Sequence, residues 1–373
     1  MKILHFADLH LDTAFAWAPA DIAHERRQAI HDTLIRICDV ARERRVDLLT
    51  CAGDLYEQER FVPDTANFLV STFAGLQSIP VLLAPGNHDW FSPESIYKTA
   101  KWSPNVHVFR EDRLSKFELQ PGLTIWGAAH CAPANTDDFL SHFHADSIGI
   151  NLGLFHASES SGLCFQGEGK KPYAPFTAGE IPAAGLAHAL LGHYHTPIDD
   201  QYYTYPGNPE PLTFGETGDR GAVLLERGAV LLEIGDNGSI KRERIRVSQT
   251  ILQQIEVDVS GAGSSQDVLD RVKNALAGKT GIAQVFIKGE VSPSVLLNPA
   301  VLKIEAETYL DWVQLQLDGV KPTYDLEAIS AEHTVRGQFV RDVQGATLEE
   351  AERRRVLITG LRALDGREDL EVV

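Results

Sequence analysis

Residues 81–89, Val-Leu-Leu-Ala-Pro-Gly-Asn-His-Asp, place the tightest limit on what this chain can fold into. An apolar run stops at a Pro-Gly turn, and the turn delivers an amide, an imidazole and a carboxylate in succession. Short continuous apolar runs bounded by turn residues suit a strand buried on both faces, as in a parallel sheet. In open α/β sheets, ligands collect beyond the carboxyl ends of such strands. Other runs end the same way. Ile3–Ala7 leads into Asp8-Leu9-His10, and Asp47–Ala52 leads into Gly53-Asp54. Ile150–Phe155 ends in His156, and Ala189–Gly192 leads into His193-Tyr194-His195. Asp8 and His10 are two apart, as are His193 and His195, so each pair points to one side of an extended backbone.

The donors are carboxylate, imidazole and amide without a thiolate, a set suited to Mn²⁺, Fe²⁺ or Zn²⁺. Each piece alone has a plainer reading. Gly-Asp is a turn dipeptide, a single His at a strand end is ordinarily a hydrogen-bonded rim residue, and Gly-Asn-His-Asp suits a capped turn. The ordered series D-x-H, GD, GNHD, H, GHxH, with helix-sized gaps between the first three, favours metal ligation over turn preference.

The series resembles the calcineurin-like metallophosphoesterase superfamily. Within it, the chain is similar to the SbcD-type DNA repair exonucleases of the double-strand-break repair nuclease family. The narrower likeness rests on Lys171–Phe176 (KPYAPF), Tyr205–Glu210 (YPGNPE) and Phe214–Gly218 (FGETG), so specific motifs cover about residues 1–235. The resemblance implies a two-metal phosphodiesterase acting on DNA in repair, an exonuclease with endonuclease action as an extension. It implies that Asp8, His10 and His195 hold one ion, that Asn87, His156 and His193 hold the other, and that Asp54 bridges both. Mn²⁺ is the expected metal, with Fe²⁺ or Zn²⁺ as alternatives. His88 adjoins a ligand but lies outside the ligand set. It is therefore the candidate to stabilise or protonate the leaving alkoxide, with Asp89 as its orienter. Some family members carry His three residues after the bridging Asp; Glu57 stands there in this chain and cannot supply positive charge. The implied partners are DNA and an SbcC-type coiled-coil ABC ATPase, with a homodimer as a further assembly. Two other classes compete: a metallophosphoesterase for a small phosphodiester or phosphomonoester, and a non-catalytic DNA-end-sensing subunit.

At 373 residues the chain exceeds the usual single-core limit, so two domains are expected. The net charge of −18 bears on the substrate. Residues 1–235 carry 17 Lys and Arg against 30 Asp and Glu, so the motif-bearing part is itself acidic. Cations bound at the carboxylates invert some of that charge locally. The remainder argues against strong non-specific duplex binding by this subunit alone, because phosphate neutralisation normally supplies that affinity. No apolar stretch reaches membrane-spanning length, and a cleavable leader would remove the ligand at residue 8. Cys38, Cys51, Cys131 and Cys164 lack C-x-x-C spacing, which suits a cytoplasmic protein without a zinc ribbon or disulfide framework.

The expected architecture is α/β, a metallophosphoesterase fold with a βαβαβ start and mixed sheets flanked by helices. The catalytic domain spans 1–248, a smaller α/β capping domain 249–325, and C-terminal helices, suited to binding a partner, 326–373. A helix over 22–45 carries Ile30, Leu34, Ile37 and Ala41 on its packed face, and its Arg26, Arg27, Arg42, Arg44 and Arg45 read as a solvated face. Residues 157–180 form a long Gly/Ser/Pro-rich loop, and Lys170, Lys171 and Tyr173 in it are weak candidates for substrate contact. His142 and His144 follow a polar stretch and read as surface. Residues Arg220–Glu226 recur at Arg227–Glu233, a tandem duplication that leaves open which copy enters the sheet. Residues 251–259, 283–288 and 311–317 read as strands, 266–277 as a helix, and 325–344 and 347–364 as further helices.

Overall fold

The computed structural model describes residues 1–146, 148–160, 172–216, 228–235 and 239–366. It divides into two compact units, Met1–Leu252 and Gln253–Val373. Among the described residues no helix is long and apolar enough to cross a membrane.

The first unit runs β1 (Lys2–Phe6), α1 (Ala20–Arg44), β2 (Leu48–Cys51), α2 (Pro63–Ala74), β3 (Val81–Leu83), α3 (Ile96–Thr99) and β4 (Val106–Val108). It continues β5 (Ser115–Gln120), β6 (Leu123–Gly127), β7 (Ile150–His156), α4 (Glu180–Ala183), β8 (His188–Gly192), β9 (Ile198–Asp199) and β10 (Tyr203–Tyr205). β11 (Gly228–Ile234) and β12 (Ile240–Arg246) close it. One sheet has the order β12-β11-β1-β2-β3-β4 and the other β5-β6-β7-β8-β10-β9. β1, β2, β3 and β4 run parallel, whereas β11 returns antiparallel on β1. In the second sheet β6, β7, β8 and β10 run parallel with β5 and β9 antiparallel at the edges, so both sheets are mixed, as expected.

Alternation along the strands explains why their sequences are continuously apolar. Ile3, Ala7, Leu48, Ala52 and Leu82 join Leu152, Leu154 and Leu190 in a cluster between the sheets. Leu4, Phe6, Leu49, Cys51, Val81 and Leu83 face the other way, against Ile30, Leu34, Ile37 and Ala41 of α1 and Leu69 and Phe73 of α2. With both faces covered, every position favours an apolar side chain, and each large one contributes about 1.5–3 kcal/mol on burial. The duplication resolves here: the second copy forms β11, in register with β1 and β12, and the first lies outside the described residues.

A few polar groups interrupt this interior. His5 Nε2 donates to the Leu191 carbonyl at 3.0 Å, while Nδ1 lies 3.0 Å from the Thr50 hydroxyl. Burial pulls its pKa from 6.5 to about 4, and these hydrogen bonds restore only part of the loss. The folded value lies below the unfolded one, so falling pH protonates the unfolded chain first. The neutral ring's contribution is thus complete above pH 6.5 and is lost progressively towards pH 4. It amounts to about 3 kcal/mol. His5→Gln should flatten the dependence of denaturant-unfolding stability on pH between 6.5 and 4; an unchanged slope would exclude His5 as its source.

The solvated reading of one α1 arginine is corrected. Arg26 is fully buried and lies 2.8 Å from Glu210. The opposite charge comes from the distant Pro-Gly-Asn-Pro-Glu segment, so the helix pattern alone points it to solvent. His142 and His144 are exposed, in line with their surface reading.

The second unit comprises β13 (Leu252–Asp258), α5 (Ser265–Leu276), β14 (Ile282–Val291), α6 (Pro299–Ala306), β15 (Trp312–Pro322), α7 (Leu326–Ser330), α8 (Val335–Gly345) and α9 (Glu350–Leu364). Its three-stranded sheet has the order β13-β14-β15. The expected 325–344 helix is two, because the Thr334 side chain accepts from Gly337 N and starts α8 afresh. Leu357 and Leu361 of α9 pack with Ile329, Val340 and Val343.

Candidate metal centre

The carboxyl ends of β1, β2, β3, β7 and β8 deliver the predicted donors to one place. The backbone bends sharply to do so: φ is 56° at Asp8, 55° at His10, 52° at Asp54 and 108° at His193. Non-glycine residues avoid this left-handed region, and such strain gathers at functional sites. Two glycines let the loops approach closely. A Cβ on Gly53 would lie 2.6 Å from Gly86 N, and one on Gly86 would lie 2.3 Å from an Asp54 carboxylate oxygen.

Asp54 is central and almost fully buried. Its Oδ2 lies 3.6 Å from His10 Nε2 and 3.4 Å from His156 Nε2. Asp8, His10 and His195 converge as one group, and Asp8, Asp54 and His156 as another, each with donor atoms within 4.8 Å. Asp8 accepts the His193 backbone N–H at 2.9 Å, and the His193 ring centroid is 5.1 Å from that of His156.

Outer contacts set the tautomers. His10 Nδ1 is 2.8 Å from Glu57, His195 Nδ1 is 2.7 Å from Glu216, and His156 Nδ1 donates to the Ala52 carbonyl at 2.8 Å. With those protons on Nδ1, it is Nε2 of each ring that points inward. The Nε2 atoms of His10 and His195 are then 3.2 Å apart, and His156 Nε2 faces Asn87 Oδ1 at 3.0 Å. Ring nitrogens and an amide oxygen at such distances share a proton or a metal cation, and a set of imidazole, carboxylate and amide donors fits a divalent metal. Burial holds the His156 pKa near 4, keeping that ring neutral. Burial also pushes the Asp8 carboxyl up to about 8, while burial at Asp54 is outweighed by the surrounding histidines, the charged His88 and its backbone N–H among them, which hold it below the ordinary carboxylate range. The outward Nδ1–H bonds are the carboxylate and carbonyl supports that metal-binding histidines require.

His88 stands beside this cluster with its side chain 46% exposed, open to an incoming substrate. Its Nδ1 lies 3.0 Å from Glu57 Oε2, so the Glu57 contact does not occupy Nε2. Burial lowers its pKa, but Glu57, Asp54 and Asp89 more than reverse this and raise it to about 9. The expected orienter is therefore corrected. Asp89 accepts from Gly86 N at 2.6 Å, Leu55 N at 2.7 Å, Asp54 N at 3.1 Å and the Tyr97 hydroxyl at 2.5 Å, which makes it the clasp of the loop. Asp89→Ala should strand these four buried donors at about 1–3 kcal/mol each, lowering unfolding free energy by at least about 4 kcal/mol. Unchanged stability with lost turnover would instead return Asp89 to a direct role.

The expectation missed Glu57 and Glu216 as ligand supports, and also His130. His130 is buried and donates from Nε2 to the His156 carbonyl at 2.7 Å. The only sequence signal for Glu57 was its spacing from Asp54, and for Glu216 its place in the Phe-Gly-Glu block. Tyr173 sits beside the centre, its ring centroid 5.3 Å from that of His193. Lys170 and Lys171 lie outside the described residues.

Comparison with known proteins agrees with this geometry. The chain is 26% identical over 356 residues to the uncharacterized metallophosphoesterase YhaO of Bacillus subtilis, covering 91% of this chain and 80% of that protein. It is 24% identical over 299 residues to the DNA double-strand break repair protein Mre11 of Methanopyrus kandleri, covering 73% of this chain and 62% of the other. The corresponding protein of Saccharolobus solfataricus is 21% identical over 325 residues, with 82% and 79% covered. The calcineurin-like phosphoesterase family model matches residues 1–197, which contain β1 to β8 and every proposed ligand. With that match over more than half of its length and donors that could hold metal gathered at its strand ends, this chain belongs to the calcineurin-like phosphoesterase family of metal-dependent hydrolases.

Proposed function

We propose that the chain is a two-metal phosphodiesterase acting on DNA, an exonuclease of double-strand-break repair, with Mn²⁺ as its metal. The observation that carries this reading is the convergence of inward Nε2 atoms and buried carboxylates beside an exposed His88. Asp8, His10 and His195 would hold one ion and Asn87, His156 and His193 the other, with Asp54 between them. When bound, such ions act as Lewis acids toward phosphoryl oxygens and lower the pKa of an attacking water. The chain supplies the rest. Glu57 fixes the His88 ring so that Nε2–H can donate to the leaving oxygen. Tyr173 offers an aromatic face beside His193 on which a base can stack. The relatives named Mre11 support DNA as the substrate.

The charge of −18 supports a division of labour in which a coiled-coil ABC ATPase of the SbcC type supplies DNA affinity. Exposed Val335, Val356 and Leu364 on α8 and α9 favour the C-terminal helices as its seat. The acidic balance also favours a second reading, a small phosphodiester as substrate. Turnover with Mn²⁺ should be compared on single- and double-stranded DNA, with and without the ATPase, and on bis-p-nitrophenyl phosphate and cyclic nucleotides. DNA cleavage that increases with the ATPase is expected. Hydrolysis confined to the small diesters would overturn the DNA reading.

A further inference from the structure

The Tyr205–Glu216 segment carries two carboxylates that the reaction does not use, and they face opposite ways. Glu216 Oε1 lies 2.7 Å from His195 Nδ1, and its Oε2 accepts from Leu212 N at 2.8 Å and Asn208 Nδ2 at 2.7 Å. The same Asn208 amide donates to the Glu210 carbonyl at 3.1 Å, and the Asn208 backbone N–H donates to the His195 carbonyl at 3.2 Å. The segment therefore grips His195 by both ring and backbone. Gly207 permits this approach: φ is 73°, and a Cβ would lie 2.7 Å from the His195 carbonyl oxygen.

Glu210 anchors the other end. Its fully buried carboxylate lies 2.8 Å from Arg26 Nη1 and accepts the Thr33 hydroxyl at 3.0 Å, both from α1. It also accepts Gln249 N at 2.7 Å and Thr250 N at 3.2 Å, from the last residues of the first unit. Arg26 Nη2 donates to the neighbouring Pro211 carbonyl at 2.7 Å. A buried ion pair is weak evidence for stability, because desolvation opposes its attraction. What this pair does is hold three distant segments in one geometry.

We propose that Glu210 is a positioning residue for His195 and hence for the first ion, and that the same carboxylate ties this ion's ligand to the exit of the first unit at Gln249–Thr250. The inference rests on the two-metal reading above. The path is short and continuous: Glu210 fixes the loop, Asn208 and Glu216 follow it, and Glu216 sets the ring. Outer supports of metal ligands typically change affinity by about 10–100-fold.

The test is calorimetric titration of Mn²⁺ into the metal-free full chain. Wild type should bind two ions. Glu210→Gln should weaken one of them by about tenfold or more and leave the other within about twofold. The weakened site should be the one that His195→Ala removes. Thr33→Val keeps the ion pair but loses one hydrogen bond, so it should weaken the same site less, and it decides the matter if Glu210→Gln does not fold. Leu69→Ala, a core change in α2, should lower the melting temperature without separating the two affinities. Equal weakening of both sites, or unaltered binding in the folded variants while wild type binds two, would overturn the positioning role alone. Fewer than two ions on wild type would refute the two-metal reading and this inference together.

Discussion

Asp54→Asn is expected to empty both ion positions together and to abolish metal-dependent phosphoester hydrolysis. The carboxylate lies between the two ligand groups, with one oxygen 3.6 Å from His10 Nε2 and 3.4 Å from His156 Nε2. Its other oxygen accepts the His88 backbone N–H at 2.9 Å, which aims the side chain. The amide keeps that shape but removes the charge that two cations would share. The loss of affinity should therefore exceed the 10–100-fold typical of outer-shell changes, and at both sites. His10→Ala should mainly affect the first ion. Metal content and turnover measured on both variants check this. An Asp54→Asn protein retaining one ion at wild-type affinity would show that the residue is no bridge.

His88→Ala should keep both ions and substrate affinity yet lose about 10²–10⁴-fold in turnover, the usual worth of general-acid help. The geometry supports that separation. Nδ1 is committed to Glu57, so the ring's remaining nitrogen is available to substrate, and the side chain is half exposed beside a buried cluster. An interaction made only as charge develops lowers kcat without changing ground-state binding. The decisive comparison is between substrates at saturating Mn²⁺. A p-nitrophenolate leaving group needs no proton, so it should lose much less than an alkoxide from DNA. Equal losses would leave His88 an electrostatic role and remove its assignment as general acid. Loss of an ion would make it a structural support of the site.

The strand ends were legible because two signals coincide there. Runs apolar at every position require burial on both faces, and each run stops abruptly at a polar residue. That is enough to place Asp8, Asp54, Asn87, His156 and His193 on one rim from the sequence alone. The outer supports were not legible, since a carboxylate's partner is set by tertiary approach rather than spacing. Glu57 and Glu216 became readable only once their imidazoles were placed. Asp89 misled for the same reason. Its adjacency to His88 suggests contact, yet the turn directs its oxygens onto backbone N–H groups. Arg26 shows the limit of a helix pattern, which assumes that charge faces water and cannot foresee Glu210. The omission of α6 was avoidable. Asn298-Pro299 is a helix-start signal, and the Asn298 side chain does cap Ala300 N and Val301 N.

The central claim is a pair of metal ions flanking Asp54. Crystals of the metal-replete protein, with anomalous scattering recorded on both sides of the manganese absorption edge, test it most directly. The account predicts two peaks about 3.5–4 Å apart. One should lie among Asp8, His10 and His195, the other among Asn87, His156 and His193, with Asp54 touching both. A single peak, or none beside Asp54, would contradict it.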